Sequence, residues 1–354
     1  ALLVGINDYS RSAASDLGGC LKDIDFYETF LKDHYPDSLK LEVLRDSDAE
    51  RENIIDLFRK HLGNARKDDV ALFVYAGHGA RWKSAPEFAP FYPDGYDEGL
   101  VCHNSRSESD AFPYDLADKE LAMLIHELAV NDPHIAVVLD SCHSGSATRG
   151  ALEMEGARIR ATLSVEESRP LDSYLEGQYA DMLKDGRPLT LPADRHIGMA
   201  ACGRTQSAFE LKGRGAFSTN MDRVLDTFGP EITYADLFSR CRAAMRVPKN
   251  QEPQFETYGQ FNGYTTFLGA TVKAKHRHLA FFDEAEKDWI VECGALQNLP
   301  TDADKSVELK LFDGDGNEVG IATSTQVGMQ RTRIEMPPGH EEPSDAQFDA
   351  EIIS

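Results

Sequence analysis

Short apolar runs alternate with amphipathic stretches over the first two hundred residues. Residues 2–7, 41–44, 70–76, 135–139 and 196–202 are nearly continuous in Val, Ile, Leu, Phe and Ala. Runs of that length and composition read as strands buried on both faces, as inside a parallel sheet. Between them the spacing turns helical: Leu21, Ile24, Tyr27 and Leu31 predict a helix over 17–33. A second follows Asp48, its predicted cap, with Ile54, Ile55, Leu57, Phe58 and Leu62 on one face, and a third covers 116–129. Helices at 217–228 and 233–246 and an edge strand near 253–258 complete the pattern. This alternation predicts an α/β fold, a mostly parallel central sheet flanked by helices on both faces.

Two segments break the alternation. Residues 80–115 are polar and rich in Pro and Gly, and read as a loop. Residues 146–195 are charged and carry Arg149, Arg158, Arg160, Arg169, Lys184, Arg187 and Arg195. From about residue 271 the texture becomes β-rich. Val307–Phe312 and Glu318–Thr323 flank Asp313-Gly-Asp-Gly-Asn317, a hairpin signal. An EF-hand is disfavoured there, because the position that loop reserves for glycine holds Glu318. The expected organisation is therefore 1–145, a linker or insertion over 146–195, a further α/β segment over 196–270, and a small β-rich domain over 275–354.

Composition narrows the function. Across 354 residues, 37 basic side chains stand against 60 acidic ones, a net charge of −23. That charge disfavours nucleic acid, which asks for a basic surface, and suits a cationic substrate. No run approaches the roughly 18 apolar residues of a membrane span, so no membrane is expected. The chain begins on a strand without methionine and reads as an excised portion of something longer. Six cysteines without a CxxC pair suggest reduced thiols and a cytoplasmic location.

The chemistry lies at two strand ends. The run ending at Asp140 is followed by Ser-Cys142-His-Ser-Gly145, and the run ending at Ala76 by Gly-His78-Gly79. If both strands are parallel, a thiol and an imidazole meet at the edge where open α/β sheets place their ligands. That is the need of a Cys/His nucleophile–base pair. The neighbouring glycines leave room for a substrate backbone. Asp140, two residues before Cys142, points to the same face as the thiol, and its carboxylate would attract a basic side chain beside the cleaved bond. His143 reads as a loop residue.

Tyr75-Ala-Gly-His-Gly79 and Asp140-Ser-Cys-His-Ser-Gly145 resemble the His and Cys motifs of metacaspases and their bacterial caspase-like relatives. Further segments match in order: Ala1–Asp8, Gly19–Asp23, Asp94–Glu98, Asp118–Leu121, Ala201–Ser207 and Gly215–Ser218. The resemblance covers roughly residues 1–270. It implies a caspase-like fold, with 1–145 and 196–270 as large and small catalytic segments, and a cysteine endopeptidase working through a Cys142/His78 dyad. By it, the backbone N–H groups of Gly79 and Cys142 form the oxyanion site, and Cys20, Asp23 and Asp140 line an acidic pocket. Cleavage after Arg or Lys is the expectation, with Arg favoured where its fork meets two carboxylates. The partners it implies are protein or peptide substrates with basic residues and an activating protein, with the chain an effector module of a larger protein and the basic residues of 146–195 as self-cleavage sites. The alternative is an inactive caspase-like scaffold. Many relatives bind calcium through an acidic pair that here reads Asp118-Lys119, so no cofactor is expected.

Overall fold

A computed structural model describes residues 1–12, 14–92, 94–107, 113–142, 157–204, 206–245, 251–259, 261–269, 271, 277–295, 299–301 and 306–353. His143, Arg149 and the first part of the linker, 146–156, lie outside the described residues. Two compact units are present, Ala1–Asp222 with Val247–Asn262 and Arg223–Arg246 with Gly263–Ser354.

The first unit begins with β1 (Leu2–Gly5), α1 (Cys20–His34), β2 (Glu42–Arg45), α2 (Arg51–Lys60) and β3 (Val70–Ala76). Then come β4 (Gly79–Lys83), β5 (Tyr96–Leu100), β6 (Leu116–Ala117), α3 (Asp118–Ala129) and β7 (His134–Asp140). After the linker's β8 (Arg158–Ile159) and α4 (Gln178–Lys184) follow β9 (His196–Ala200), β10 (Phe209–Leu211), β11 (Arg214–Gly215), the start of α5 (Ala216–Phe228) and β12 (Gln254–Tyr258).

Among the described residues the central sheet has the order β12-β9-β7-β3-β1-β2, parallel except for β12. The apolar runs explain the order: β3 and β7, the most continuous, take the two middle places, where most of their residues are buried on both faces. Their register, Val70↔His134 through Ala76↔Asp140, ends both strands on one level. This brings the two chemistry-bearing loops together.

Three expectations shift. Helix α1 starts at Cys20, after Gly18 and Gly19, and not at 17. Asp48 does not cap α2; it lies in a 3₁₀ turn, and the cap position is Glu50, without a side-chain bond. Residues 80–115 are not all loop, because β4, β5 and β6 form a small antiparallel sheet. In β4, Ala80 and Trp82 are buried and Arg81 and Lys83 lie more open, a period-2 pattern too short to stand out among the flanking Pro and Gly residues.

In the second unit, Thr233 caps α6 (Tyr234–Ala244), its Oγ1 accepting from the Asp236 N–H at 3.1 Å. The strands β13 (His278–Asp283), β14 (Asp288–Val291), β15 (Glu308–Phe312), β16 (Glu318–Val327), β17 (Thr332–Glu335) and β18 (Gln347–Ile352) close into an antiparallel barrel. Trp289 packs between Phe282 and Phe348, each with its ring centre 5.7 Å away, over a core that includes Leu309, Leu311 and Ile334. Closure removes the exposed sheet edges. The turn between β15 and β16 is a hairpin: Asp313 Oδ1 accepts from the N–H groups of Asp315 (3.0 Å) and Asn317 (2.8 Å), and Gly316 takes φ +84°. Among the described residues no helix is long and apolar enough to cross a membrane.

Candidate active site

His78 follows β3 and is buried. Its backbone N–H donates to Tyr9 Oη at 2.7 Å, and Tyr75 Oη lies 2.7 Å from its carbonyl. A side chain at Gly77 would collide with both phenols, its Cβ falling 2.6 Å from Tyr9 Oη and 2.5 Å from Tyr75 Oη. The ring Nε2 is 2.8 Å from the Ser15 carbonyl. A carbonyl only accepts, so Nε2 carries the proton. Among the described residues the buried Nδ1 has no hydrogen-bond partner. Burial pushes the imidazole down to about 4. The ring is therefore neutral near pH 7 with its lone pair on Nδ1, the form a general base requires. Ser15 supplies the orienting acceptor for which sequence reasoning has no candidate, since a backbone carbonyl leaves no signature.

Cys142 follows β7, and its thiol lies 2.6 Å from the Gln206 carbonyl. Its backbone N–H donates to the carbonyl of Arg160 at 3.1 Å, and the N–H of Gly79 donates to the same oxygen at 2.9 Å. Two donors converging on one carbonyl at these distances are the geometry of an oxyanion site. The Gly79 loop and the Cys142 loop thus meet at a single atom, and that atom belongs to the linker.

The Arg160 side chain fills the acidic pocket and is fully buried. Nη2 donates to Asp23 Oδ2 at 2.5 Å and lies 3.9 Å from Glu210 Oε2; Nη1 is 3.1 Å from Asp140 Oδ1. The carboxylates are themselves held. Asp140 Oδ2 accepts from the Ser218 N–H (3.1 Å) and Oγ (2.7 Å), and Asp23 accepts from the Gly215 N–H (2.9 Å) and Arg214 Nε (3.2 Å). Burial drives the Asp23 carboxyl up to about 6, even with Arg160 acting against it. Burial also opposes the charge of Arg160, but Asp140 and Asp23 prevail and hold its pKa well above the ordinary range. Gly215 makes the cradle possible, because a Cβ there would lie 2.3 Å from Asp140 Oδ2 and 2.6 Å from Arg160 Nη1. Cys20 opens α1 three residues before Asp23 and is buried, its N–H on Asn7 Oδ1 at 2.9 Å. Burial raises its thiol pKa. The residues expected at the site, Cys142, His78, Gly79, Asp140, Asp23 and Cys20, are brought to one region. Glu210, Ser218 and the occupant Arg160 join them. Gly215 and Ser218 sit in a motif visible in the sequence, whereas Arg160 looks like any other basic linker residue.

The Asp118-Lys119 position carries a built-in cation. The Lys119 ammonium is buried, 2.6 Å from Asp97 Oδ1, 3.3 Å from Asp118 Oδ1 and 3.8 Å from the centre of the Tyr92 ring. Asp97 also accepts from Ser84 Oγ (2.5 Å) and Tyr174 Oη (2.6 Å). With an ammonium between the carboxylates, these residues do not fit a divalent ion.

A family model described as Caspase domain matches residues 1–262. Metacaspase-1 of Lodderomyces elongisporus is 31% identical over 298 residues, and Metacaspase-1 of Candida albicans 25% identical over 293. Each match spans 72% of this chain and 63% of the relative, so the chain covers less than two thirds of their length. A crystal structure of a Geobacter sulfurreducens protein superposes with a TM-score of 0.53 over 74% of this chain and 94% of that one, at 22% identity, which speaks for the fold alone.

Proposed function

Since the chain belongs to the caspase-domain family, we propose that it is a cysteine endopeptidase that cuts proteins after arginine, and less readily after lysine. One observation carries this reading: an arginine is seated in the acidic pocket while its own carbonyl oxygen rests on the two N–H groups beside the thiol. A substrate arginine would take the same place. Cys142, freed of its proton by His78 Nδ1, attacks the carbonyl carbon after that arginine. The oxyanion forms on the Gly79 and Cys142 N–H groups, and His78 returns the proton to the leaving amine. Water then hydrolyses the thioester. Arginine is preferred over lysine because only a planar fork reaches Asp23 and Asp140 at once.

The reaction needs no metal or other cofactor on this reading, Lys119 supplying the charge between Asp97 and Asp118. We further infer a cytoplasmic enzyme working as an effector module of a longer protein, on protein substrates with basic residues. Fluorogenic peptides ending in Arg, Lys, citrulline or Asp test the reading, with wild type and Cys142→Ala. Cys142-dependent hydrolysis in the order Arg, Lys, then the others is expected. Absence of hydrolysis on all of them, from a chain that has been cut as well as an intact one, would leave an inactive scaffold.

A further inference from the structure

Resting on that reading, we propose that Cys142 and Cys202 form a reversible disulfide when the chain meets a peroxide, which silences the peptidase and spares its nucleophile irreversible oxidation. Cys202 lies outside the catalytic pair, yet the central sheet brings it to the thiol. Strands β7 and β9 pair in parallel, Leu139 opposite Ala200, and the Ala201 N–H donates to the Leu139 carbonyl at 2.9 Å. Cys142 comes three residues beyond Leu139 and Cys202 two beyond Ala200. Neighbouring strands lie about 4.8 Å apart. That spacing falls within the roughly 4.4–6.8 Å that separates the Cα atoms of a disulfide.

The sulfurs converge on one another. Cys202 Sγ is 3.6 Å from the carbonyl of Ser141, the residue before Cys142, and 3.7 Å from the Gln206 carbonyl. Cys142 Sγ is 2.6 Å from that same Gln206 oxygen. The shared carbonyl is itself held: the Gln206 N–H donates to the Gly203 carbonyl (3.0 Å), and Gln206 Oε1 accepts from the N–H groups of Gly203 (3.1 Å) and Glu252 (3.2 Å). The two thiols are in hydrogen-bond contact, and that contact, ahead of burial, raises the Cys202 pKa. Their roles divide accordingly. Cys142 has His78 to take its proton and reacts first, while Cys202 stays protonated and resolves the product. Both are buried, so the oxidant must be small, as hydrogen peroxide is. In a reducing cytoplasm such a disulfide is a transient, redox-sensing one.

The step balances. Cys142 Sγ passes its proton to His78 Nδ1 and attacks one oxygen of hydrogen peroxide. The O–O bond breaks, the sulfur becomes a sulfenic acid, and the released hydroxide takes the proton from His78 to form water. Cys202 Sγ then bonds to Cys142 Sγ as the S–O bond breaks, and the departing hydroxide takes the Cys202 proton as a second water. Each sulfur loses one electron, and the peroxide is reduced to water.

The test treats the full chain with hydrogen peroxide, follows arginyl-peptide hydrolysis, and maps the cysteines by mass after digestion without reductant. A Cys142–Cys202 linked peptide is expected, with hydrolysis falling in proportion to the linked fraction and returning to its starting rate in dithiothreitol. Prior labelling of Cys142 with an arginyl chloromethylketone should abolish the link. Cys202→Ser, measured against its own untreated rate, should lose hydrolysis without recovery in dithiothreitol, its Cys142 ending as a sulfinic or sulfonic acid. Hydrolysis that persists through peroxide, or that is lost with no Cys142–Cys202 link, overturns the proposal and leaves the peptidase reading standing. So does recovery as full in Cys202→Ser as in wild type. A link that forms and reduces in a chain that cuts no peptide in either state overturns the peptidase reading and leaves the disulfide standing.

Discussion

Asp140→Asn isolates the charge of the pocket from its shape. The asparagine carbonyl can keep the two bonds from Ser218, while the atom 3.1 Å from Arg160 Nη1 becomes an amide nitrogen or loses its charge. The pocket keeps Asp23, 2.5 Å from the guanidinium, and the more distant Glu210. Removing one partner of a buried ion pair costs about 3–5 kcal/mol. The surviving carboxylates place this variant at the lower end, about 3–4 kcal/mol. At roughly 1.4 kcal/mol per decade, kcat/KM for an arginyl peptide should fall about 10²- to 10³-fold. The assay uses the Arg160→Gln background, so that Arg160 does not compete, and sets an arginyl peptide against its citrulline counterpart. Citrulline has the same shape without the charge, and its kcat/KM should change less than about tenfold, because no ion pair is lost. An equal fall on both peptides would mean that Asp140 serves the Cys142 loop and not the substrate. An unchanged arginine preference would refute the pocket assignment.

Three further outcomes follow from the same geometry. Gly215→Ala should lower kcat/KM for arginyl peptides by at least about 10²-fold, as expected for a buried ion pair pushed apart. Full activity in that variant would show that the cradle is looser than the 2.3 Å approach implies. Lys119→Met leaves the buried Asp97 and the partly exposed Asp118 without their cation and should destabilise the chain by about 3 kcal/mol in denaturant titration. Wild-type peptide hydrolysis should be the same in calcium and in chelator, and a calcium requirement would contradict the role given to Lys119. Asp23 binds a cation only when ionised, and its carboxyl is raised to about 6 with Arg160 in place. Arginine binding is therefore strong above that pH and lost as pH falls through it, and in the emptied pocket the limb should lie at 6 or higher. A pH profile of kcat/KM with its acid limb near 4 would exclude Asp23 as the group responsible.

Much of the framework was legible because its signals are local. The continuous apolar runs of 70–76 and 135–139 reveal buried strands, and their paired ends bring His78 and Cys142 together. The same-face spacing of Asp140 and Cys142 needs no tertiary knowledge. What the sequence hides is the long-range part. Ser15 acts through a carbonyl that any residue possesses. Glu210 meets Gly18 and Gly19, and Gly215 meets Asp23, from nearly two hundred residues away, contacts fixed only when β10 and β11 fold back. Arg160 shares its composition with the six other basic residues of the linker, and only its backbone path distinguishes it. The β4–β5 hairpin is hidden in the sequence because period-2 alternation over five residues is weak beside strong loop signals.

The most direct test of the central claim is covalent capture. The chain and its Arg160→Gln variant are treated with an arginyl chloromethylketone or its aspartyl counterpart, and the adduct is located by peptide mass mapping. The account predicts one adduct per chain, on Cys142, with the arginyl reagent, and little or none with the aspartyl one. Equal labelling by both reagents, or an arginyl adduct on another cysteine, would contradict it.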